Sequence, residues 1–390
     1  MEIETKYGEI KIFAKTLEDE ALLQITGFAN SILGKDAHIR IMPDAHAGKG
    51  CVIGTTMVIT DKVCPNLVGV DIGCGVDLIK TDIDFKSRVE ELDRVIRSVV
   101  PFGRNHHMEV KTYRDFAKLK CWNEFKKEIK DTAVRSLGTL GGGNHFIEAY
   151  ENGYLSVHSG SRNIGYKVAW HYQRLAEKQM AECERELRQK AVLEVPEKER
   201  AEWYKKHKIE IDSSLAYLTG ELMKDYLHDM NIMQEFAVAN RKAMFDAVVD
   251  GMGGKIEKHI SSTHNYIDMS DKKIILRKGA ISARKGESLV IPLNMRDGVL
   301  ICEGKGNADW NYSAPHGAGR LYSRSKAKEI FGLEQYKKSM AGIFSSCINE
   351  ETIDEAPFCY KEAAEIMECI KPTVEINEWL KPIYNFKASE

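Results

Sequence analysis

SLGTLGGGNHFIEAY, residues 136–150, followed closely by YLSVHSGSRNIG, residues 154–165, reads as glycine loop, strand, then strand and glycine loop again. Short apolar runs rich in β-branched and aromatic residues, broken by glycine, are the mark of strands joined by tight loops. The same texture recurs on both sides. Upstream stand HIRIMP (38–43), CVIGTTMVIT (51–60) and LVGVDIG (67–73). Downstream stand KKIILRKGAISARKGESLVIP (272–292) and GVLICEGKGNADWNYSAPHGAGR (298–320). Between them, residues 87–135, 221–250 and 333–370 have helical spacing, and the end of the chain reads as extended. Residues 166–219 contain no glycine and carry a dense charged run broken by Pro196. That pattern predicts a pair of exposed helices inserted into the sheet core. The class expected is α+β, a mixed β-sheet core with surrounding helices, forming one domain over 1–390 with a helical insertion at about 166–219.

Composition narrows the function. Hydrophobic residues make up 43% of the 390, enough for a large core, and charged residues 29%. Net charge is −2, so phosphate recognition must rest on local basic patches rather than bulk charge. Nine cysteines with no C-x-x-C pair point to a reducing compartment. The first residues, MEIETKYGEI, do not read as a secretory signal, and no apolar run is long enough to span a membrane. A cytoplasmic protein, monomeric or weakly dimeric, is expected.

Histidines and acids gather beside glycines: Asp44 and His46 in PDAHAGKG, Asp71 and Cys74 in VDIGCG, His145 in GGGNHFIE, His158 in VHSGSRNIG, His264 in SSTHNYID and His316 in APHGAGR. Glycine loops let a ligand approach the backbone closely. A lone histidine in such a loop is usually structural, and a lone cysteine is usually buried and inert. Together, one Asp, one Cys and three His make a mixed shell for Zn²⁺, Mn²⁺, Fe²⁺ or Co²⁺, and a bridging thiolate lets it hold two ions. LGGGNH and HGAGR have the glycine content of anion nests, though neither is a P-loop. Arg135, Arg162 and Arg320 flank these loops as candidate contacts to phosphate, which the family resemblance below makes RNA phosphate. Lys326 and Lys328 read as an ordinary solvated helix face.

In this order, VGVDIGCGV, GGGNHFIE, HSGSR, THN, RKGAI, HGAGR and YSRSKAK closely resemble the motifs of the RtcB family of RNA ligases. The resemblance implies an RtcB-like fold with a deep metal-containing cleft. It implies one Mn²⁺ on Asp71, Cys74 and His145, and a second on Cys74, His158 and His264. It makes His316 the residue guanylylated by GTP. It assigns nucleotide contacts to Asn144, His145, Phe146, Ile147, Glu148, His264, Asn265, Gly317, Ala318, Gly319 and Lys387. The implied reaction joins an RNA 3′-phosphate or 2′,3′-cyclic phosphate to a 5′-hydroxyl through a guanylylated histidine and an RNA-ppG end. RNA with such ends and GTP are the expected partners, with an activating or repair-pathway protein as a further one.

One loop departs from the family. Where typical members carry Pro-Gly-Ser-Met-Gly around the nucleotide phosphates, this chain has Pro292-Leu293-Asn294-Met295-Arg296, and a nearby serine is Val299. Pro292, Leu293, Asn294, Met295 and Val299 are therefore expected at the nucleotide with an altered grip. This marks a divergent branch, serving RNA repair or tRNA splicing. The competing readings are a metal-dependent RNA phosphodiesterase that no longer uses a nucleotide, supported by this loop alone, and a silent RNA-binding protein, disfavoured by the intact ligand set.

Overall fold

The computed structural model of the chain describes residues 1–111, 113–209 and 211–388. Four sheets are formed among the described residues. The one that organises the site has five antiparallel strands in the order Pro382–Lys387, Phe146–Tyr150, Tyr154–Ser159, Gly75–Thr81 and Ile256–Thr263. Its register pairs Gly75 with both Ser159 and Thr263, and Phe146 with both His158 and Lys387. The starts of Gly75–Thr81 and Phe146–Tyr150 therefore lie at the same end of the sheet as the finishes of the other three strands. Residues far apart in sequence converge there, because antiparallel neighbours alternate start and finish along one edge.

A second, six-stranded sheet carries Arg40–His46 and Ile53–Val58 beside Ile275–Lys278 and Asn265–Asp268. The short strand Ser313–Pro315 pairs with Ala280–Ser282 and delivers His316 to the same region. A three-stranded sheet of Ser288–Asn294, Gly298–Gly304 and Val374–Leu380 closes another side.

Behind the five-stranded sheet runs the helix Gly220–Met252, as its apolar stripe predicts; Tyr226, Met230, Met233, Phe236 and Met244 are fully buried. The insertion differs from its expected form. The helix Arg162–Glu194 begins inside the core, with Ile164, Val168, Ala169, Tyr172 and Ala176 buried, and becomes solvent-exposed only beyond them. Those residues recur at helical spacing ahead of the charged run, so one helix serves both environments. Beyond Pro196 the helix Arg200–His207 buries no residue. Residues 87–135 are less helical than their spacing suggests. Among the described residues of this span only Val89–Val99 and Lys127–Ala133 are α-helical, because Pro101 and Gly103 end the first, and Phe116 anchors short 3₁₀ turns against Phe236. Residues 333–370 likewise hold two short helices, Leu333–Ser339 and Ala363–Ile370, with 3₁₀ turns between. No helix among the described residues is long and apolar enough to cross a membrane.

Candidate active site

At the common strand end, Asp71 and Cys74 precede Gly75–Thr81, His145 precedes Phe146–Tyr150, His158 lies near the finish of Tyr154–Ser159, and His264 follows Ile256–Thr263. Asp71, Cys74 and His145 have donor atoms within 4.8 Å of one another, as do Cys74, His158 and His264, so the thiol is shared by two triads. Cys74 Sγ is 3.5 Å from His145 Nε2 and 3.3 Å from His158 Nε2. His145 Nδ1 donates to the Leu140 carbonyl at 2.9 Å and His158 Nδ1 to the Asn144 carbonyl at 3.1 Å. A carbonyl only accepts, so the proton sits on Nδ1 and the Nε2 lone pair faces the thiol. His264 Nδ1 is buried and has no hydrogen-bond partner among the described residues.

Burial pushes the Cys74 thiol well above its usual range, and the Asp71 charge adds to this. Burial pushes His158 and His264 well below theirs, and the neighbouring histidines add to it. Around Asp71 burial works the other way, but the adjacent His145 ring and the Arg162 guanidinium hold its carboxyl below the ordinary value. Neutral imidazoles, a carboxylate and a thiol that a cation would ionise form a donor set that fits divalent transition-metal ions.

Two buried neighbours on the helix Gly220–Met252 hold these loops. The side-chain oxygen of Asn240 accepts from Gly138 N at 2.7 Å and Thr139 N at 3.0 Å. Arg241 donates to the carbonyls of Gly73 at 2.9 Å and Ser159 at 3.0 Å, and its Nε pairs with Asp77 at 2.7 Å. Arg241 and Asp77 are both fully buried. One guanidinium thus ties together the loop of Cys74 and the strand of His158. The sequence reading passed over both residues; the signal was an adjacent Asn and Arg interrupting an otherwise apolar stripe.

The histidines form a row. Ring centroids are 5.1 Å apart from His145 to His158, 5.1 Å from His158 to His264 and 4.8 Å from His264 to His316. His316 Nδ1 lies 2.6 Å from Asp44 Oδ2, which also accepts from the backbone N–H of His316 at 3.1 Å. Asp44 is fully buried. A carboxylate on Nδ1 keeps the proton there and leaves Nε2 as a free lone pair. Gly319 has φ +78°, and a Cβ at that position would run into the Asp44 carbonyl, so only glycine lets this loop close on the aspartate. The buried Lys361 ammonium caps the carbonyl of Pro43 at 2.9 Å, beside Asp44. Sequence reading placed Asp44 in a glycine loop but gave it no role.

A pocket opens at His316. Asn144, Phe146, Glu148, His158, His264, Pro292, Leu293, Asn294, Met295, Gly317, Ala318, Gly319, Arg320 and Lys387 line it, joined by His46 and Tyr360. His145, Ile147, Asn265 and Val299 stand apart from the other expected nucleotide contacts, His145 standing in the first triad instead. Ile147 is one step along the strand from Phe146 and Glu148, so it points to the opposite face and packs with Leu155 and Val157. Val299 is fully buried against Val76 and Phe146. The Asn265 amide braces the backbone, accepting from Gly279 N at 3.0 Å and donating to Asp71 O at 3.3 Å. Of the three arginines, Arg162 donates to Thr139 Oγ1 at 3.2 Å beside the first triad. Arg135 donates to Met108 O at 2.8 Å, outside the pocket lining. Arg320 lines the pocket but is engaged by Glu355 at 3.1 Å.

Two buried carboxylates set the pocket's charge. Burial pushes Glu148 up to about 7, against the Tyr150 hydroxyl and the Lys387 charge. Burial also opposes ionisation of Glu355, but Lys387, Arg320 and Arg324 overcome it and bring it down to about 2. Lys387 Nζ is 2.5 Å from Glu355. Glu355 lies in a segment whose spacing suggested only a helix; the acid followed by Ala-Pro was its available sign.

A family profile described as "tRNA-splicing ligase RtcB" matches residues 27–128 and 114–388. The chain is similar to the RNA-splicing ligase RtcB of Escherichia coli strain K12, at 30% identity over 391 residues and 90% of each protein. It is similar to the tRNA-splicing ligase RtcB of Aeropyrum pernix at 27% identity, over 93% of this chain and 90% of that protein. The tRNA-splicing ligase RtcB of Nanoarchaeum equitans matches at 27% identity over the same shares. The profile runs through every loop that meets at the common strand end, and the chain belongs to the RtcB family.

Proposed function

We propose that this protein is a GTP- and Mn²⁺-dependent RNA ligase of the cytoplasm, joining an RNA 3′-phosphate or 2′,3′-cyclic phosphate to a 5′-hydroxyl in RNA repair or tRNA splicing. The observation that carries the reading is the row of histidines running from the shared-thiol triads to His316, whose Nδ1 is held by Asp44. Asp71, Cys74 and His145 would hold one ion, and Cys74, His158 and His264 the other. When bound, the ions neutralise charge on the reacting phosphates.

The chain's own groups do the rest. His316 Nε2 attacks the α-phosphorus of GTP, an N–P bond forms and pyrophosphate leaves. The imidazole turns cationic in that step, and the Asp44 carboxylate stabilises it through Nδ1–H. Glu148 at the pocket wall accepts from the N–H donors of guanine, a role its carboxylate suits and its acid form does not. An oxygen of the RNA 3′-phosphate then attacks the same phosphorus. The N–P bond breaks, His316 returns to neutral, and the end is now RNA-ppG. The 5′-hydroxyl attacks the RNA 3′-phosphorus, loses its proton and expels GMP. A cyclic end is first hydrolysed to the 3′-phosphate.

Incubation with Mn²⁺ and GTP labelled at the α-phosphate tests this. The expected result is an acid-labile, alkali-stable label on the protein that disappears in His316→Ala. An unlabelled but metal-loaded wild-type protein overturns the reading and favours a metal-dependent cyclic-phosphate hydrolase.

A further inference from the structure

The segment 101–135 carries nine Lys and Arg against five Asp and Glu, in a chain whose net charge is −2. Its first part is a loop seated directly on the glycine loop of the metal centre. Leu140 N donates to Pro101 O at 2.9 Å, Gly103 N to Gly141 O at 2.9 Å, and His107 N to Arg135 O at 3.1 Å. Leu140 is also the residue whose carbonyl receives the His145 Nδ1–H. The loop is thus one residue away from a metal-ligand contact.

Arg104, His106 and Lys111 on this loop are exposed. Their side chains make no hydrogen bond or ion pair among the described residues, unlike Arg320 and Lys387, which Glu355 engages. Glu109 is the loop's one acid. Met108, 85% exposed, and Val110 stand out from the same loop. Apolar side chains on a cationic loop suit unstacked bases better than water.

Access points the same way. The side chain of Asp71 is 27% exposed, whereas Cys74, His158 and His264 are buried. The nucleotide pocket fills the His316 end of the histidine row, and Lys387 on its wall is held by Glu355. With the His316 end taken by the nucleotide, the Asp71 end is the one left for a polynucleotide, and the basic loop sits on Gly141 beside it.

We propose that loop 103–111, with Arg135 behind it, is the lip over which the single-stranded RNA bearing the 3′-phosphate runs into the metal centre, Arg104 and Lys111 holding its phosphates. This rests on the RNA-ligase reading above. The test is the double variant Arg104→Ser/Lys111→Ser in full-length, Mn²⁺-loaded protein, with a single-stranded RNA carrying a 3′-phosphate as the probe. Labelling of His316 by GTP requires no RNA and should be unchanged. The RNA Kd should rise about tenfold, and the slope of log affinity against log salt should become shallower by about 1.4, roughly 0.7 for each phosphate no longer neutralised. In ligation, the KM for RNA should rise with kcat unchanged, and Arg104→Lys/Lys111→Arg should restore both. Unchanged RNA affinity and salt slope in a normally labelled variant overturns the lip and leaves the ligase intact. A wild-type protein that takes no label but binds RNA with the steeper slope overturns the ligase reading and keeps the lip.

Discussion

Replacing Glu148 with Gln should stabilise the protein and cripple its use of GTP. Burial raises the Glu148 carboxyl from 4.5 to about 7. A raised acid destabilises the native state wherever it must ionise. Between pH 4.5 and about 7 the unfolded chain is deprotonated while the native site keeps its proton, so stability falls as pH rises through that window. Above it the loss is complete and amounts to about 3 kcal/mol, at 1.36 kcal/mol per unit. Glutamine removes the charge, and its hydrogen bonds are met in place. Its oxygen accepts from the Asn385 amide, and its nitrogen donates to Tyr150, whose hydroxyl turns to Ser156 at 2.8 Å. For a chain of this length the gain corresponds to a melting-temperature rise of about 4 °C at pH 8, shrinking to about 1 °C at pH 5. The same amide places a donor where guanine also donates, so labelling by GTP at limiting concentration should fall at least about tenfold, the worth of one charge-assisted hydrogen bond. Calorimetry at the two pH values and GTP labelling check both halves. A variant that melts below wild type at pH 8, or that labels equally well, refutes the role given to burial at this carboxylate.

Three further outcomes follow from the same geometry. Asp44→Asn should leave the fold intact but lower the rate of His316 labelling by about two to four orders of magnitude, because an amide holds Nδ1–H poorly and does not stabilise the imidazolium; single-turnover labelling measures it. Arg241→Met should cost about 3 kcal/mol, since it leaves the fully buried Asp77 carboxylate with only the His259 ring and the Ser261 hydroxyl as partners; the drop in denaturant midpoint measures it, and full stability would remove Arg241 from the framework of the site. Chelation should lower the melting temperature and restored Mn²⁺ should raise it, by an amount growing with the logarithm of free metal. Cys74→Ser should lose most of that response.

Much of the site was legible because its residues sit in glycine loops, where local composition speaks directly. The α+β class was legible too, since the strand runs stand out from the helical ones, even though much of 87–135 and 333–370 folds as 3₁₀ turns. What local patterns could not supply is pairing across the chain. Asp44 meets His316 over 272 positions, and nothing around either residue announces the other. Asn240 and Arg241 were hidden inside an apolar stripe whose dominant signal is core packing. The side of the strand that Ile147 faces was legible: alternation alone sends it to the face opposite Phe146 and Glu148.

The altered 292–299 stretch shows why divergence in a binding loop need not reach the chemistry. Pro292 pairs with Val299 and Asn294 with Gly298, so the segment is a tight hairpin rather than an open loop. Leu293 and Val299 put their side chains into apolar clusters, and the Leu293 cluster includes Ala318 from the loop of His316. Asn294 closes the turn on itself, accepting from Arg296 N at 3.0 Å and Asp297 N at 2.9 Å, while Arg296 pairs with Asp297 at 3.0 Å. The groups that stand where the family has a glycine and two serines are therefore occupied by the hairpin and the core, and Arg296 is engaged by Asp297. The carbonyl of Pro292 still backs Gly317, where a Cβ would stand 3.2 Å from it, so the hairpin supports the His316 loop by packing. Leu293 thus adds apolar packing behind the His316 loop, while the Asp44–His316 pair and the histidine row stay assembled.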